Sequence, residues 1–237
     1  CPDARGVICT WAGTGELGFN GDDKPIAESN LYWPIDLTID ADLGTYVLDW
    51  NNHAVREVTE DGKFKTVVGT TFPGDGPEDL SDLEPPGAEG TEVPLNHPTQ
   101  FVPMPDGTLT LVAWHNHKLR RYDPETGRVT VICGGPAGFA GDGGPMRMAK
   151  LDQPSQLVVD EDANQYILDQ RNQVIRHVVP EGVIHTLAGT PKEAGFAGDG
   201  GPALSAKLSF PTGTNPQPGG GLALDENGGL YVSDTLN

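Results

Sequence analysis

One glycine-rich segment of eight residues occurs twice in this chain without a single change. It spans residues 138–145 and 195–202, in both places as Gly-Phe-Ala-Gly-Asp-Gly-Gly-Pro. A drifted copy lies at 18–25, and residues 74–77 keep only its Gly-Asp-Gly-Pro turn. Copies at roughly even intervals indicate a repeat protein, in which similar supersecondary units pack side by side. This repetition constrains the fold more strongly than any other feature of the sequence.

Alignment of the glycine turns divides the chain into four units, at residues 6–62, 63–127, 128–182 and 183–237. In each unit a β-branched run ends at a glycine, and the glycine turn and a Leu-x-x-Pro connector follow. Short runs of alternating polarity come next, a pattern typical of half-buried strands. The 32 glycines and 21 prolines suit many short strands and turns better than helices. We therefore predict one all-β domain over 1–237, a β-propeller built from four-stranded antiparallel blades.

The third and fourth units carry the pattern T-x-A-G-T, G-F-x-G-D-G-G-P-A and L-Y-V-x-D-x-x-N-x-x-I-R in its fullest form, and residues 49–56 are a good first-unit copy. This pattern, over essentially the whole chain, resembles the NHL-repeat family of β-propellers. The second unit departs most, with Ala113 in place of the Asp and an acidic insert at 79–92. The fourth unit has an extra Pro/Gly loop at 212–220. The resemblance implies a propeller commonly of six blades.

Each sequence unit is offset from a blade by one strand. The run Val7 to Ala12 is predicted to be the outer strand of a preceding blade, and a further strand is expected after Asn237. We therefore predict three full blades and parts of two others. Either more chain or other material would complete the ring.

The formal net charge of −19 decides which partners are compatible with this chain. A field of that sign repels phosphate backbones, which excludes nucleic acid as a partner. No apolar run approaches the length that spans a bilayer. Cys1 indicates either a lipid anchor exposed by processing or a fragment boundary, and a Cys1–Cys9 or Cys9–Cys133 disulfide would suit an oxidising compartment. We predict an extracytoplasmic protein: secreted, periplasmic or on the cell surface.

Repeated polar residues favour structural roles, because active sites are rarely repeated in every blade. The Asp-x-x-Asn pattern is predicted to close the hairpin between the second and third strands. The arginine that follows it is predicted to pair with acidic groups between blades. The residues concerned are Asp49, Asn52, Asp169, Asn172, Asp234 and Asn237, followed by Arg56, Arg120 and Arg176.

The aspartates of the glycine turns, Asp22, Asp142 and Asp199, allow two interpretations. An aspartate among glycines can accept hydrogen bonds from neighbouring backbone amides and so close the turn. The alternative is Ca²⁺, which needs six to eight oxygen ligands, whereas each loop offers one reliable carboxylate. We predict the turn role and retain Ca²⁺ as the alternative.

Positions that differ between units are better functional candidates. Asp36, Gln100 and Gln156 begin inner strands that face the central channel, and His97 lies just before one of these strands. In propeller enzymes that the chain resembles, such as amidating lyases, several histidines hold a metal near these places. Because His97 is the only channel histidine here, we predict a polar channel lining, with Zn²⁺ as the alternative.

A second group of unrepeated side chains, Trp50, Trp114 and His115, is predicted to form an exposed aromatic rim. His115 and His117 would share one face if residues 114–118 form a strand. Two such ligands are too few for a copper or zinc site.

No nucleophile elbow, phosphate-binding loop or zinc-protease motif occurs in the sequence, so no catalytic residue is assigned. We predict a binding or scaffold module whose partner contacts the irregular loops 79–92 and 212–220. One alternative is a metal-dependent lyase or hydrolase with its site at the channel mouth. Another is a structural subunit of a larger extracellular assembly.

Overall fold

The computed structural model of the chain describes residues 6–213 and 216–237. Their regular structure consists of strands and single 3-10 turns, and no helix among them is long and apolar enough to cross a membrane. The strands are β1 (Pro34–Asp40), β2 (Gly44–Asp49), β3 (Ala54–Val58), β4 (Phe64–Val68), β5 (Ala88–Glu89), β6 (Pro98–Pro103), β7 (Leu109–Ala113), β8 (Lys118–Asp123), β9 (Arg128–Gly134), β10 (Gly144–Pro145), β11 (Pro154–Val159), β12 (Gln165–Asp169), β13 (Val174–Val178), β14 (Val183–Ala188), β15 (Leu222–Leu224) and β16 (Leu230–Val232).

The strands form antiparallel sheets in which consecutive strands are neighbours. The sheet orders are β1-β2-β3-β4, β5-β9-β8-β7-β6, β10-β14-β13-β12-β11 and β15-β16. The described residues therefore hold three four-stranded blades, two of them with an added short edge strand, and the first two strands of a fourth. Short hairpins join the neighbours, as expected for alternating runs separated by turn residues.

The prediction of an outer strand at residues 7–12 is wrong, because the structure assigns no strand there. In the complete blades the equivalent run pairs with the third strand of its own sheet, as Val68 does with Val55.

Successive blades pack face to face around their inner strands β1, β6, β11 and β15. Leu48 and Leu111 belong to the apolar cluster between the first and second blades, and Val112 belongs to the cluster between the second and third. Because side chains of a strand alternate between its two faces, Leu111 and Val112 lie in different clusters. A blade of this kind is therefore buried on both faces, which is the packing of a propeller.

Side chains also connect the inner strands of neighbouring blades. Asp36 Oδ2 accepts a hydrogen bond from the Phe101 amide at 2.9 Å, and Gln100 Oε1 accepts one from the Leu157 amide at 2.7 Å. The Thr38 hydroxyl donates to the Phe101 carbonyl. These bonds fix the register of one inner strand against the next.

The Asp-x-x-Asn pattern closes the hairpin between the second and third strands of a blade. Asp49 accepts hydrogen bonds from the Asn52 amide group and the Tyr32 backbone, at 2.8 and 2.7 Å. In the second unit, where Ala113 replaces the aspartate, Asn116 Oδ1 accepts the equivalent backbone bond, from Asn96 at 3.0 Å. The asparagine thus replaces the missing carboxylate as acceptor.

The glycine turn covers the outer edge of the blade that follows it in sequence. In the third unit β10 lies in this turn and pairs with β14. Asp142 bonds the Arg176 guanidinium at 2.5 Å and the Thr186 hydroxyl at 2.7 Å. The Arg176 guanidinium also lies 4.7 Å from the ring centre of Phe139.

The same contacts occur in the first unit and correct two predictions. Asp22 bonds the Arg56 guanidinium at 3.2 Å, and it accepts bonds from the amide and hydroxyl of Thr66. The predicted pairing of these arginines between blades is therefore wrong, because each salt bridge lies within one blade and its turn. Asp22 and Asp142 bond arginine and threonine of the blade in place of the neighbouring amides of their own turn, contrary to the prediction.

The acidic insert at 79–92 is anchored to the second blade at several points, and most of its residues are exposed. Asp82 lies 3.1 Å from the Arg120 guanidinium, and its carbonyl accepts a bond from the Val131 amide at 2.7 Å. Its last residues include β5, which pairs with β9. The insert therefore packs along the outer edge of the second blade.

The structure also separates the two disulfide alternatives. Cys9 is disulfide-bonded, whereas Cys133 is a free, buried thiol. The Cys9–Cys133 pairing is therefore wrong. Cys1, the other predicted partner and the predicted lipid-anchor position, lies outside the described residues.

Candidate functional site at the turn face

One end of the blades carries the unrepeated side chains, and we call this end the turn face. Each complete blade places there a 3-10 turn between its second and third strands, followed by a residue with left-handed backbone. The residue preceding each inner strand also lies there and has a positive φ of 52–54°. The turns are Trp50–Asn52, Trp114–Asn116 and Gln170–Asn172, the left-handed residues are His53, His117 and Gln173, and the preceding residues are Trp33, His97 and Gln153.

A repeated hydrogen bond, which we call the inter-blade latch, joins neighbouring blades at this face. His53 Nδ1 accepts from the His97 amide at 3.2 Å, and His117 Nδ1 accepts from the Gln153 amide at 3.1 Å. At the next junction Gln173 Oε1 accepts from the Phe210 amide at 2.8 Å. The latch therefore needs a neutral acceptor, which either an imidazole or a glutamine provides.

The side chain of His97 contacts both the first and the second blade. Its Nε2 lies 3.1 Å from Asn51 Oδ1, and its Nδ1 lies 2.9 Å from Nδ1 of His115. Because an amide oxygen only accepts, Nε2 of His97 carries the proton and donates it to Asn51. His97 Nδ1 is then an acceptor, and the proton between the two rings belongs to His115.

Burial keeps these imidazoles neutral. It lowers the pKa of His53 to about 4 and, with the neighbouring histidines adding to the effect, that of His115 to about 4. Burial also lowers the pKa of His97. A protonated ring here would place a desolvated charge beside other histidines, so the neutral network is the stable one above pH 6.5.

Three tryptophans lie in a row beside the histidines. The Trp33 and Trp50 ring centres lie 6.1 Å apart, those of Trp50 and Trp114 lie 6.2 Å apart, and Trp114 stacks on His115 at 4.0 Å. Trp33 is 56% exposed, whereas Trp50 and Trp114 are 7% and 0% exposed. The predicted exposed rim of Trp50 and Trp114 is therefore wrong, and Trp33 is the aromatic side chain that reaches solvent.

The prediction that His115 and His117 share a strand face is also wrong. Residues 114–116 form a 3-10 turn and His117 is left-handed, so the chain reverses between the two side chains. His115 contacts His97 on one side of the second blade, and His117 contacts the third blade through Gln153.

The fourth unit's extra loop folds inward onto the inner strands. Gln170 donates to the carbonyls of Pro211 and Gln217 and accepts from the Gly219 amide, at 2.8, 3.0 and 3.0 Å. The Ser155 hydroxyl donates to the Gly219 carbonyl at 2.8 Å. Thr214 and Asn215, in the middle of this loop, lie outside the described residues.

This loop reaches the first blade, and the two line a small, open cavity. The cavity, about 190 Å³, is lined by Trp33, Ile35, Trp50, Gln217 and Pro218. Trp33, Gln217 and Pro218 are not among the predicted site residues. The Pro/Gly-rich composition of the loop was the available signal for these residues. It does not indicate that the loop folds inward onto the inner strands.

The predicted channel residues have different positions. Asp36 and Gln100 engage the next blade's backbone, and burial raises the pKa of Asp36. Gln156 is the equivalent of Gln100 in the third blade and is half-buried. His97 belongs to the turn face. Ligand contact by these four side chains remains a prediction.

Histidine nitrogens and carboxylates do not converge into a ligand set within residues 6–213 and 216–237. No group of three or more His, Cys, Asp or Glu in these ranges could hold a metal ion. Asp22 and Asp142, the weak Ca²⁺ candidates, are occupied by guanidinium groups, and Asp199 lies on an exposed glycine turn. His97 and His115 provide two nitrogens, which is fewer than a zinc site requires.

These blades and their radial packing define the chain as a β-propeller. Similar folds occur in a Bacteroides thetaiotaomicron protein provisionally described as a phosphatase and in one provisionally described as a gluconolactonase. For the first, the TM-score is 0.56 at 18% identity, over 85% of this chain and 45% of that one. For the second, the TM-score is 0.51 at 13% identity, over 86% of this chain and 57% of that one.

Sequence comparison finds distant relatives, and no protein-family model matches the chain. The chain is 28% identical over 179 residues to Arabidopsis thaliana Suppressor of quenching 1, chloroplastic, covering 73% of this chain and 16% of that protein. It is 28% identical over 199 residues to human teneurin-4, covering 74% and 7%. The chain therefore spans less than a fifth of the length of these relatives.

Proposed function

We propose that this chain is an NHL-type propeller domain, six-bladed when complete, that binds a protein partner through its turn face outside the cytoplasm. The observation that carries the proposal is Trp33, an exposed indole held by Trp50 beside the His97 network. The left-handed backbone at Trp33 and His97 and the inter-blade latch hold these side chains in place. Exposed tryptophan on a rigid support is typical of binding hot spots.

The chemistry of this face favours recognition over catalysis. The imidazoles of His97 and His115 bond each other, and that of His97 also bonds Asn51. No group of three or more His, Cys, Asp or Glu among the described residues could hold a metal ion. The small cavity beside Trp33 offers an apolar surface next to Gln217. Such a surface suits a proline or aromatic side chain of a partner, with polar contacts at its margin.

An extracytoplasmic location is supported by the disulfide at Cys9, because such bonds persist in oxidising compartments. The net charge of −19 is compatible with that setting and argues against a nucleic-acid partner. A lipid anchor at Cys1 remains part of the proposal.

A random peptide library displayed on phage would test the turn face. We expect selected peptides to bind the purified chain and to lose at least tenfold in affinity on Trp33→Ala. Leu204→Ala is the matched control, since Leu204 is also exposed but lies on the 3-10 turn of residues 203–205 in the fourth unit. Peptides that bind equally well to both variants, or a library that yields none, would contradict the proposal.

The first blade supports a second candidate role, as a subunit of a larger assembly. Leu37 is 49% exposed, whereas its equivalents Phe101 and Leu157 are 2% and 0% exposed because a preceding blade covers them. We propose that another four-stranded sheet covers this face. Sedimentation of the chain against Leu37→Lys tests this: weaker self-association of the variant supports an assembling face, and unchanged monomers of both refute it.

A further inference from the structure

The second and third blades do not close completely on each other. Their shared apolar cluster, which includes Val112 and Leu157, fills only part of the interface. Toward the opposite end of β7 and β12 a cavity of about 430 Å³ lies between the blades. Thr110, Gln165 and Met146 are among its lining residues. This volume lies in the range of small-molecule sites.

The cavity coincides with a single departure from the repeat. Thr110 occupies the position that holds a tyrosine in the other three units, Tyr46, Tyr166 and Tyr231. Between the first and second blades Tyr46 is 2% exposed, its ring lies 5.3 Å from that of Phe101, and its hydroxyl donates to the Leu43 carbonyl. The equivalent junction between the second and third blades therefore lacks one phenol ring.

Two buried polar atoms at the cavity lack partners. Thr110 is 1% exposed, and neither its Oγ1 nor Oε1 of Gln165 has a hydrogen-bond partner among the described residues. Buried polar atoms are normally paired, and an unpaired one destabilises the fold. Thr110 can donate or accept, and the amide oxygen of Gln165 accepts. A ligand hydroxyl can serve as partner to both groups.

The charged side chains that line the cavity are two cations and two carboxylates, Arg121, Arg147, Glu84 and Glu181. Arg147 lies 3.3 Å from Glu84, and Arg121 lies 3.6 Å from Asp106. Apolar lining comes from the side chains of Met104, Ile132 and Met146. Because the cations already have partners, the site favours a neutral ligand over an anion.

We propose that this cavity binds a small, neutral, hydroxylated aromatic molecule. Its ring occupies the space that tyrosine fills at the equivalent junction, and its hydroxyl bonds Thr110 and Gln165. The site lies on the opposite side of the blades from the turn face, so it is independent of the function proposed there.

Calorimetry and ligand-detected NMR with p-cresol and toluene as probes would test this site in the full chain. We expect saturable binding of p-cresol at millimolar concentration, with toluene weaker because it lacks the hydroxyl. Thr110→Tyr fills the cavity and should lower p-cresol affinity at least tenfold. Its circular dichroism should match that of the parent chain, because three other units carry tyrosine at this position.

Thr110→Val keeps the shape of the side chain and removes only its hydroxyl. We expect it to weaken p-cresol binding severalfold and to leave toluene binding unchanged, while Trp33→Ala at the turn face changes neither. The proposal is overturned if p-cresol shows no saturable binding, or if a folded Thr110→Tyr variant binds it as well as the parent chain. If Thr110→Val loses the same affinity for toluene as for p-cresol, the role of the hydroxyl is refuted.

Discussion

The inter-blade latch gives a direct test of how neighbouring blades are held together. His53 and Gln173 perform the same task at different junctions, and both have a left-handed backbone. His53→Gln should therefore preserve the hydrogen bond from the His97 amide, whereas His53→Ala leaves that donor unpaired. An unpaired buried amide costs about 1–3 kcal/mol. At pH 7.5 we expect His53→Gln to lie within about 1 kcal/mol of the parent chain and His53→Ala to lose more.

The free energies of unfolding of the parent chain and of His53→Gln should diverge as the pH falls. Burial lowers the pKa of His53 from 6.5 to about 4, so the folded state binds fewer protons than the unfolded state in this interval. The free energy of unfolding is therefore unaffected above pH 6.5 and decreases as the pH falls toward 4. At pH 5 the two pKa values correspond to a loss of about 2 kcal/mol in the parent chain. Glutamine does not titrate, so His53→Gln escapes this loss.

Urea unfolding followed by tryptophan fluorescence at pH 7.5 and pH 5 measures both effects. We expect His53→Gln to be less stable than or equal to the parent chain at pH 7.5 and more stable at pH 5. His185→Gln is the control, because it removes an exposed imidazole on β14 that takes no part in the latch. If the parent and His53→Gln lose the same stability between the two pH values, the reasoning about the latch is refuted.

Three further predictions concern the blades themselves. Arg176→Met leaves the fully buried Asp169 without its guanidinium partner, and should lower the free energy of unfolding by about 3–5 kcal/mol in urea titrations; a loss under about 1 kcal/mol would contradict the salt-bridge argument. Gly69→Ala places a Cβ 2.3 Å from the His53 carbonyl at a φ of +113°, whereas Gly107→Ala places one in open space at a φ of +81°. The melting temperature of Gly69→Ala should therefore fall well below that of Gly107→Ala. Equal melting temperatures would show that the close approach is unimportant. Burial raises the pKa of the Cys133 thiol to about 12, so a maleimide should label it at pH 8 only after unfolding in urea, and rapid labelling of the native chain would disprove its burial.

The sequence by itself determined the repeated part of this molecule. Alternating runs and glycine turns predicted the antiparallel blades, and the Asp-x-x-Asn pattern predicted the hairpin closure seen at Asp49 and Asn52. These features depend on residues a few positions apart, whose geometry follows from backbone preferences and short-range hydrogen bonds. The repeat alignment was also sufficient to identify residues that differ between units.

What those differing residues do was decided by contacts between blades. His97 meets Asn51 across 46 positions of sequence, and the cavity at Thr110 depends on side chains of two different sheets. The burial of Trp50 and the inward course of the Pro/Gly loop likewise depend on contacts between residues far apart in the sequence. A side chain's direction on a strand follows from alternation, but what lies opposite it depends on how the sheets pack. Only the tertiary structure therefore shows which unrepeated residues share a site.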